Sequence, residues 1–277
     1  MDKSYLIQKL RTIKKEEYKL GKGENALELA LIMLRYIGDT DSELRDDLIY
    51  SVMSNWIVND VFSVDELYKI LGISLDDGHL FYNIGNIDDS VFTRSFSMLI
   101  VAAILYAHRK NNFLTKEDLG IVKDKLICYM RKEKDLRGYV DKKGWAHSVA
   151  HGSDALDEIA QCTEIDKEDL REILNIIYEK VEVDYYIYIH DEDERMITAV
   201  MSILNREMLS ESEIISWIVG FRQNLKLGKY SDKNDNIYIN IKNFLRGLYF
   251  RILKEDKSSK YLYIIQEKLE NIKLSTL

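Results

Sequence analysis

The chain has 277 residues, the upper end of one domain or the sum of two small ones, and 46% of them are hydrophobic, enough to bury a large core. Its 39 Lys and Arg against 47 Asp and Glu leave a formal net charge of −8, which repels phosphate and excludes a duplex-coating nucleic-acid binder. Two cysteines, Cys128 and Cys162, make neither a disulfide framework nor a four-thiolate zinc site, and a reducing cytosol fits them.

No proline occurs where average usage of about 5% would supply roughly fourteen, so nothing interrupts a helical pattern. Met1-Asp2-Lys3-Ser4-Tyr5 carries no apolar stretch leading to a cleavage site; no secretion signal is expected, and the predicted location is cytoplasmic. Apolar residues recur three and four apart at Leu6, Leu10, Ile13 and Tyr18. After Gly21-Lys22-Gly23, which lacks the P-loop spacing, they resume at Ala26, Leu29, Ala30, Met33 and Ile37. Capping boxes predict helix starts at Thr40 with Glu43 and at Ser63 with Glu66. The longest apolar run, residues 98–107, reaches only about 15 Å as helix, which predicts a buried helix and no membrane span.

Further caps follow at Thr115 with Asp118, Asp166 with Asp169, and Ser210 with Glu213, 51 and 44 residues apart. Each interval holds about one pair of antiparallel helices. The expectation is a single all-α domain over residues 1–277, a HEAT- or armadillo-like array of antiparallel helix pairs: an irregular α-solenoid or bundle. Residues 181–189 have strand-like composition and read as a strand, a buried helix or an extended connection. Residues 231–236, rich in Asp and Asn, read as a loop.

The segment with chemical character is Gly144-Trp145-Ala146-His147-Ser148-Val149-Ala150-His151-Gly152-Ser153-Asp154, which holds two of the five histidines. Placed on one helix over residues 145–162, His147, His151, Asp154 and Glu158 share a stripe roughly 60° wide, with Trp145 and Val149 on the opposite side. Histidines four apart can share a metal ion, and two imidazoles with a carboxylate suit zinc, iron or manganese. Ser148 stands where a His-Glu-x-x-His metalloprotease carries its general base. The competing reading is a solvated polar stripe, or histidines hydrogen-bonded in a core. His190-Asp191-Glu192-Asp193-Glu194-Arg195 precedes another helical pattern; its acids suit a helix N-terminus, or His190 and Asp193 fold back to complete the site. Arg94, Asp135 and Arg137 pose one choice: a buried ion pair, or a clamp for an anionic ligand.

Three segments together resemble an uncharacterised bacterial family, domain of unknown function 2785. They are Val91-Phe92-Thr93-Arg94-Ser95-Phe96-Ser97, the stretch from Asp135-Leu136-Arg137-Gly138-Tyr139 through Asp154, and Asp191-Glu192-Asp193-Glu194-Arg195. The similarity runs from about Asp88 to beyond Arg206. It implies a helical, HEAT-like fold and no established activity. The expected function is a scaffold for an unknown protein or small-molecule ligand, with Arg94, Asp135, Arg137, Trp145, His147, His151, Asp154, Asp193 and Arg195 as candidate binding residues. The alternative is a metal-dependent hydrolase with His147, His151, Asp154 and His190 around the ion.

Overall fold

A computed structural model describes residues 1–222, 224–226 and 232–275. Side-chain caps fix where six of the described α-helices begin, each worth about 1 kcal/mol. Asp2 and Asn25 accept backbone N–H groups at the starts of α1 (Lys3–Lys15) and α2 (Ala26–Leu34). A π-helical stretch, Glu43–Tyr50, runs straight into α3 (Ser51–Val58). The Ser63 and Glu66 box opens α4 (Val64–Ser74), and α5 (Ser90–Asn111) ends on a left-handed Asn112. Thr115 and Asp118 open α6 (Lys116–Lys132). A short antiparallel hairpin of β1 (Tyr139–Val140) and β2 (Gly144–Trp145) leads into α7 (Ser148–Ala160). Asp166 and Asp169 open α8 (Lys167–Val181); α9 (Glu192–Asn205) follows an extended connection, and Ser210 with Glu213 opens α10 (Glu211–Gly220). The last described elements are β3 (Asn224–Lys226), α11 (Asp232–Glu255), α12 (Lys260–Asn271) and β4 (Lys273–Ser275), with β3 and β4 paired in parallel. The fold is all-α, as expected.

The helices lie in two rows. In one, α3, α5, α7, α9 and α11 pack successively against one another. In the other, Tyr68 of α4 donates to Asp118 of α6, α6 packs on α8, Arg171 of α8 pairs with Glu213 of α10, and α10 packs on α12. Bonded partners in successive layers stand one helix pair apart in sequence: Arg109 and Glu158 by 49 residues, Arg131 and Glu179 by 48, Lys260 and Glu211 by 49. This is the interval set by the later caps. Glycine permits a close approach of α6 to α7, where a Cβ on Gly152 would collide with the Met130 sulfur.

Three expectations change in detail, and one open choice resolves to the extended connection. The Thr40 box does not form; Asp41 instead accepts from the Glu43 and Leu44 amides, because Glu43 is drawn to Arg11. The buried helix of residues 98–107 extends to the whole of α5, long and apolar enough to cross a membrane by composition, yet 89% of its apolar window is buried in the fold. Residues 182–189 form an extended connection without a strand partner. Its backbone is held by the side chain of Asn240, which accepts from Tyr188 N and donates to the Tyr186 carbonyl. The Asp- and Asn-rich stretch, apart from Ser231, which lies outside the described residues, is the start of α11. Its amides serve that neighbouring connection, with Asn236 donating to the Asp184 carbonyl.

The site region hangs on one buried ion pair. Arg94 is 0% exposed and Glu133 1%, and the two meet in a bidentate contact at 2.6 and 2.9 Å. The remaining Arg94 donors go to the carbonyls of Tyr82, Asn83 and Asn86 and to the Ser90 hydroxyl. Glu133 in turn accepts the amides of Lys134 and Asp135, so the exit of α6 is fixed to the first turns of α5. Replacing Arg94 with Met is expected to destabilise the fold by about 3–5 kcal/mol, because it leaves a buried carboxylate and several carbonyls unpaired. Urea unfolding measures this, and a loss below about 1 kcal/mol would show that the pair anchors nothing.

Candidate functional site

The hairpin before α7 carries the aromatic half of the site, and a buried arginine positions it. The Arg45 guanidinium donates to the carbonyls of Asp39 and Lys143 and lies 4.2 Å from the ring centre of Phe92 and 4.8 Å from that of Phe96. Burial lowers its pKa to about 10. Ala146 and His147 extend the hairpin by donating to the carbonyls of Gly138 and Arg137. His147 then turns the chain with a φ of 45°, and the helix starts only at Ser148. The expectation of a helix from residue 145 is corrected here: Trp145 is in β2, and His147 precedes α7 and lies outside its stripe.

Four rings gather at this turn. Trp145, partly exposed, stacks on His147 at 4.2 Å and meets His190 edge-on at 5.5 Å. His151 stands 5.6 Å from His147 and edge-on to Phe96 at 5.2 Å. His190 arrives from the extended connection because Gly138 leaves room for it: a Cβ there would lie 2.3 Å from His190 Nδ1. Burial first, then neighbouring positive charge, lowers His147 to about 4 and His151 to about 3, against the help of carbonyls of His190 and Ser95 beside the two rings. Both are therefore neutral at pH 7. Nε2 of His147, Nδ1 of His151 and Nδ1 of His190 are buried without hydrogen-bond partners.

Along the same face of α7, one turn beyond His151, the structure opens into a groove of about 650 Å³. Every helix of the first row contributes to it. Its floor is small and apolar, from Leu99, Ala102 and Ala103 of α5; its walls carry Asp154, Asp157 and Glu158 of α7, Asp191, Glu194, Arg195 and Arg251. Five carboxyl groups thus face two guanidinium groups. Asp154 pairs with Arg195 at 2.9 Å, Glu158 with Arg109, and Asp157 accepts from Ser202. Burial nevertheless raises all three carboxyl pKa values above the usual carboxylate range.

The predicted site residues therefore divide. Trp145, His147, His151 and His190 come together in the ring cluster, and Asp154 and Arg195 line the groove. Asp193, its pKa raised by burial, caps the amide of Glu194 at the start of α9, the structural role foreseen for the acidic run. Arg94 and Asp135 are buried in ion pairs, Asp135 gripped in two contacts by Arg137, so the ion-pair reading accounts for all three. Arg94 has no donor left for a ligand. Sequence reasoning did not single out Arg45, Tyr50, Glu194 or Arg251. The acidic run at residues 191–194 was a signal for Glu194, but the other three come from distant segments with no local motif.

A family model described as a protein of unknown function, DUF2785, matches residues 80–250. The chain belongs to this family. The DUF2785 region runs from the segment ahead of α5 into α11 and so contains the ion pair, the hairpin, the ring cluster and most of the groove. No curated protein and no solved structure matches the chain.

Both imidazole pKa values are lower folded than unfolded. Their contribution to stability is therefore complete above about pH 6.5 and is lost as pH falls toward 4 and 3. Between pH 6.5 and 4 the wild type should lose about 3 kcal/mol more stability than a His151→Gln variant. The groove carboxyls shift the opposite way in both proteins, so the difference isolates the ring. Parallel stability curves against pH, read by urea unfolding, would remove the buried neutral His151 from the account.

Proposed function

We propose that this DUF2785 protein is a binding scaffold, a short array of helix pairs whose first row presents the groove to a ligand carrying positive charge. The observation that carries this reading is the lining of the groove: five carboxyl groups against two guanidinium groups above an apolar floor, with Asp154 and Glu158 already holding arginines and Asp157 accepting from a hydroxyl rather than from a cation. A charge so placed gains from a cationic partner more than an exposed one does, since burial has already removed much of its water. The apolar floor would take a methylene chain, and the carboxyl walls would take ammonium or guanidinium groups at its ends. A small polyamine or a lysine- or arginine-rich strand of a partner protein has that chemistry.

A metal-dependent hydrolase is the second reading, and the unpartnered imidazole nitrogens are the observation on its side. They bear on metal binding rather than on hydrolysis. Asp154, the carboxylate expected beside them, is committed to Arg195, and the scaffold reading needs no reacting group.

Spermidine and a short polylysine peptide are the probes, titrated by calorimetry against the wild type and an Asp157→Asn, Glu158→Gln variant. Each charge-assisted contact is worth about 1.5–3 kcal/mol, so the variant should bind roughly tenfold or more weakly at low salt. Equal affinity of the two proteins, or no heat with either probe, would count against the groove as a cation site.

A further inference from the structure

Buried polar atoms rarely lack a partner, because each forfeits its hydration for nothing. Of the seven such side-chain atoms among the described residues, three are imidazole nitrogens of one cluster: Nε2 of His147, Nδ1 of His151 and Nδ1 of His190. The centroids of His147 and His151 are 5.6 Å apart, and those of His147 and His190 are 6.4 Å apart. Two imidazoles on one tetrahedral ion, with metal–nitrogen bonds of about 2 Å, hold their centroids roughly 5 Å apart. His147 and His151 already stand near that separation; His190 lies about an ångström too far.

The surroundings are those of ligand histidines. A backbone carbonyl beside each of His147 and His151 can take one ring N–H and so fix the tautomer, leaving the other nitrogen's lone pair available. Trp145 stacked on His147 and Phe96 edge-on to His151 restrict both rings. No group of three or more His, Cys, Asp or Glu side chains among the described residues is arranged to hold an ion as it stands, so a third ligand has to move. His190 is the one placed to do so. It ends the extended connection, is only half-buried, and rests against Gly138.

We infer that His147, His151 and His190 form an all-imidazole site for a divalent transition ion, completed by an inward turn of His190. Imidazole ligands select zinc, copper, nickel or cobalt over magnesium and calcium, and three of them leave one position of a tetrahedral ion open. The site keeps the three histidines expected from the sequence and loses Asp154, which belongs to the groove. It does not depend on what the groove binds. A water between the same nitrogens is the competing occupant.

Trp145 supplies the readout, because a paramagnetic ion on His147 would lie close enough to its ring to quench it. Chelator-treated protein is titrated with Ni²⁺ and Co²⁺. The expected result is a saturable quench at one ion per chain that Trp145→Phe abolishes, a visible Co²⁺ band typical of four-coordination, and displacement of both by Zn²⁺. His147→Gln and His190→Gln should each weaken binding roughly tenfold or more with an unchanged circular dichroism spectrum. His190→Gln, on the connection, keeps the test valid if changes nearer the core disturb folding. No saturable quench up to millimolar metal, or a quench that both variants retain, overturns the inference and leaves water as the occupant.

Discussion

The contact between Arg94 and Glu133 is the constraint on which the site region depends. Burying two charges together is costly, and an apolar pair of the same shape is often as stable, so what this pair supplies is position. Arg94 gathers three carbonyls of residues 82–86 onto the start of α5, while Glu133 turns the chain at the end of α6 by accepting two successive amides. From that turn the chain runs directly to Asp135, which holds Arg137 and whose carbonyl accepts from the Ser148 hydroxyl. The hairpin and the first turn of α7 are thus located from both sides. Lys180 of α8 adds a third tie by donating to the Glu133 carbonyl, at the cost of a buried ammonium whose pKa burial lowers to about 8.

Given that anchor, the hairpin solves a geometric problem that a continuous helix could not. A helix begun at residue 145 would space Trp145, His147 and His151 around its axis and send Trp145 to the far side. Ending the hairpin with a left-handed His147 instead folds residues 145–147 back over the helix start, so that Trp145 can stack on His147 and both can meet His190. The left-handed conformation is unfavourable for a residue with a side chain. It is held here by backbone hydrogen bonds from Ala146 and His147 to Gly138 and Arg137. Arg45 closes the arrangement from below, with its donors on the carbonyls of the hairpin.

What the sequence disclosed follows from the range of the interactions involved. A capping box is closed within four residues, and the boxes at Ser63, Thr115, Asp166 and Ser210 all form as read. Apolar residues three and four apart with no proline between them are equally local signals, so the all-α class was legible too. Thr40 failed because a competing partner for Glu43 lies 32 residues away, on Arg11. The turn at His147 was hidden because no local rule places a histidine in a left-handed cap, and the Asn-rich start of α11 was misread because Asn236 and Asn240 satisfy a connection some 50 residues earlier. The site shows the same division. The histidines and Asp154 announced themselves by spacing, whereas Arg45, Tyr50 and Arg251 join the region only through tertiary packing.

The ring cluster stands at the start of α7, to which it contributes His151, and the groove opens one turn later; their differences follow from how each is covered. In the cluster, burial under Phe96 and the neighbouring rings keeps His147 and His151 neutral and leaves a nitrogen of each without a hydrogen-bond partner. One turn later, α5 presents Leu99, Ala102 and Ala103 to the groove, and Asp154, Asp157 and Glu158 line it, partly buried and held by Arg195, Ser202 and Arg109. Neutral nitrogen donors under cover favour a transition ion; carboxylates in a partly dry groove favour an organic cation. Asp154 stands between them, tied to Arg195, and this ion pair keeps the carboxylate in the groove and away from the imidazoles. The separation of these two chemistries is therefore set by one salt bridge and one hairpin, the hairpin being fixed to the core by the buried Arg45.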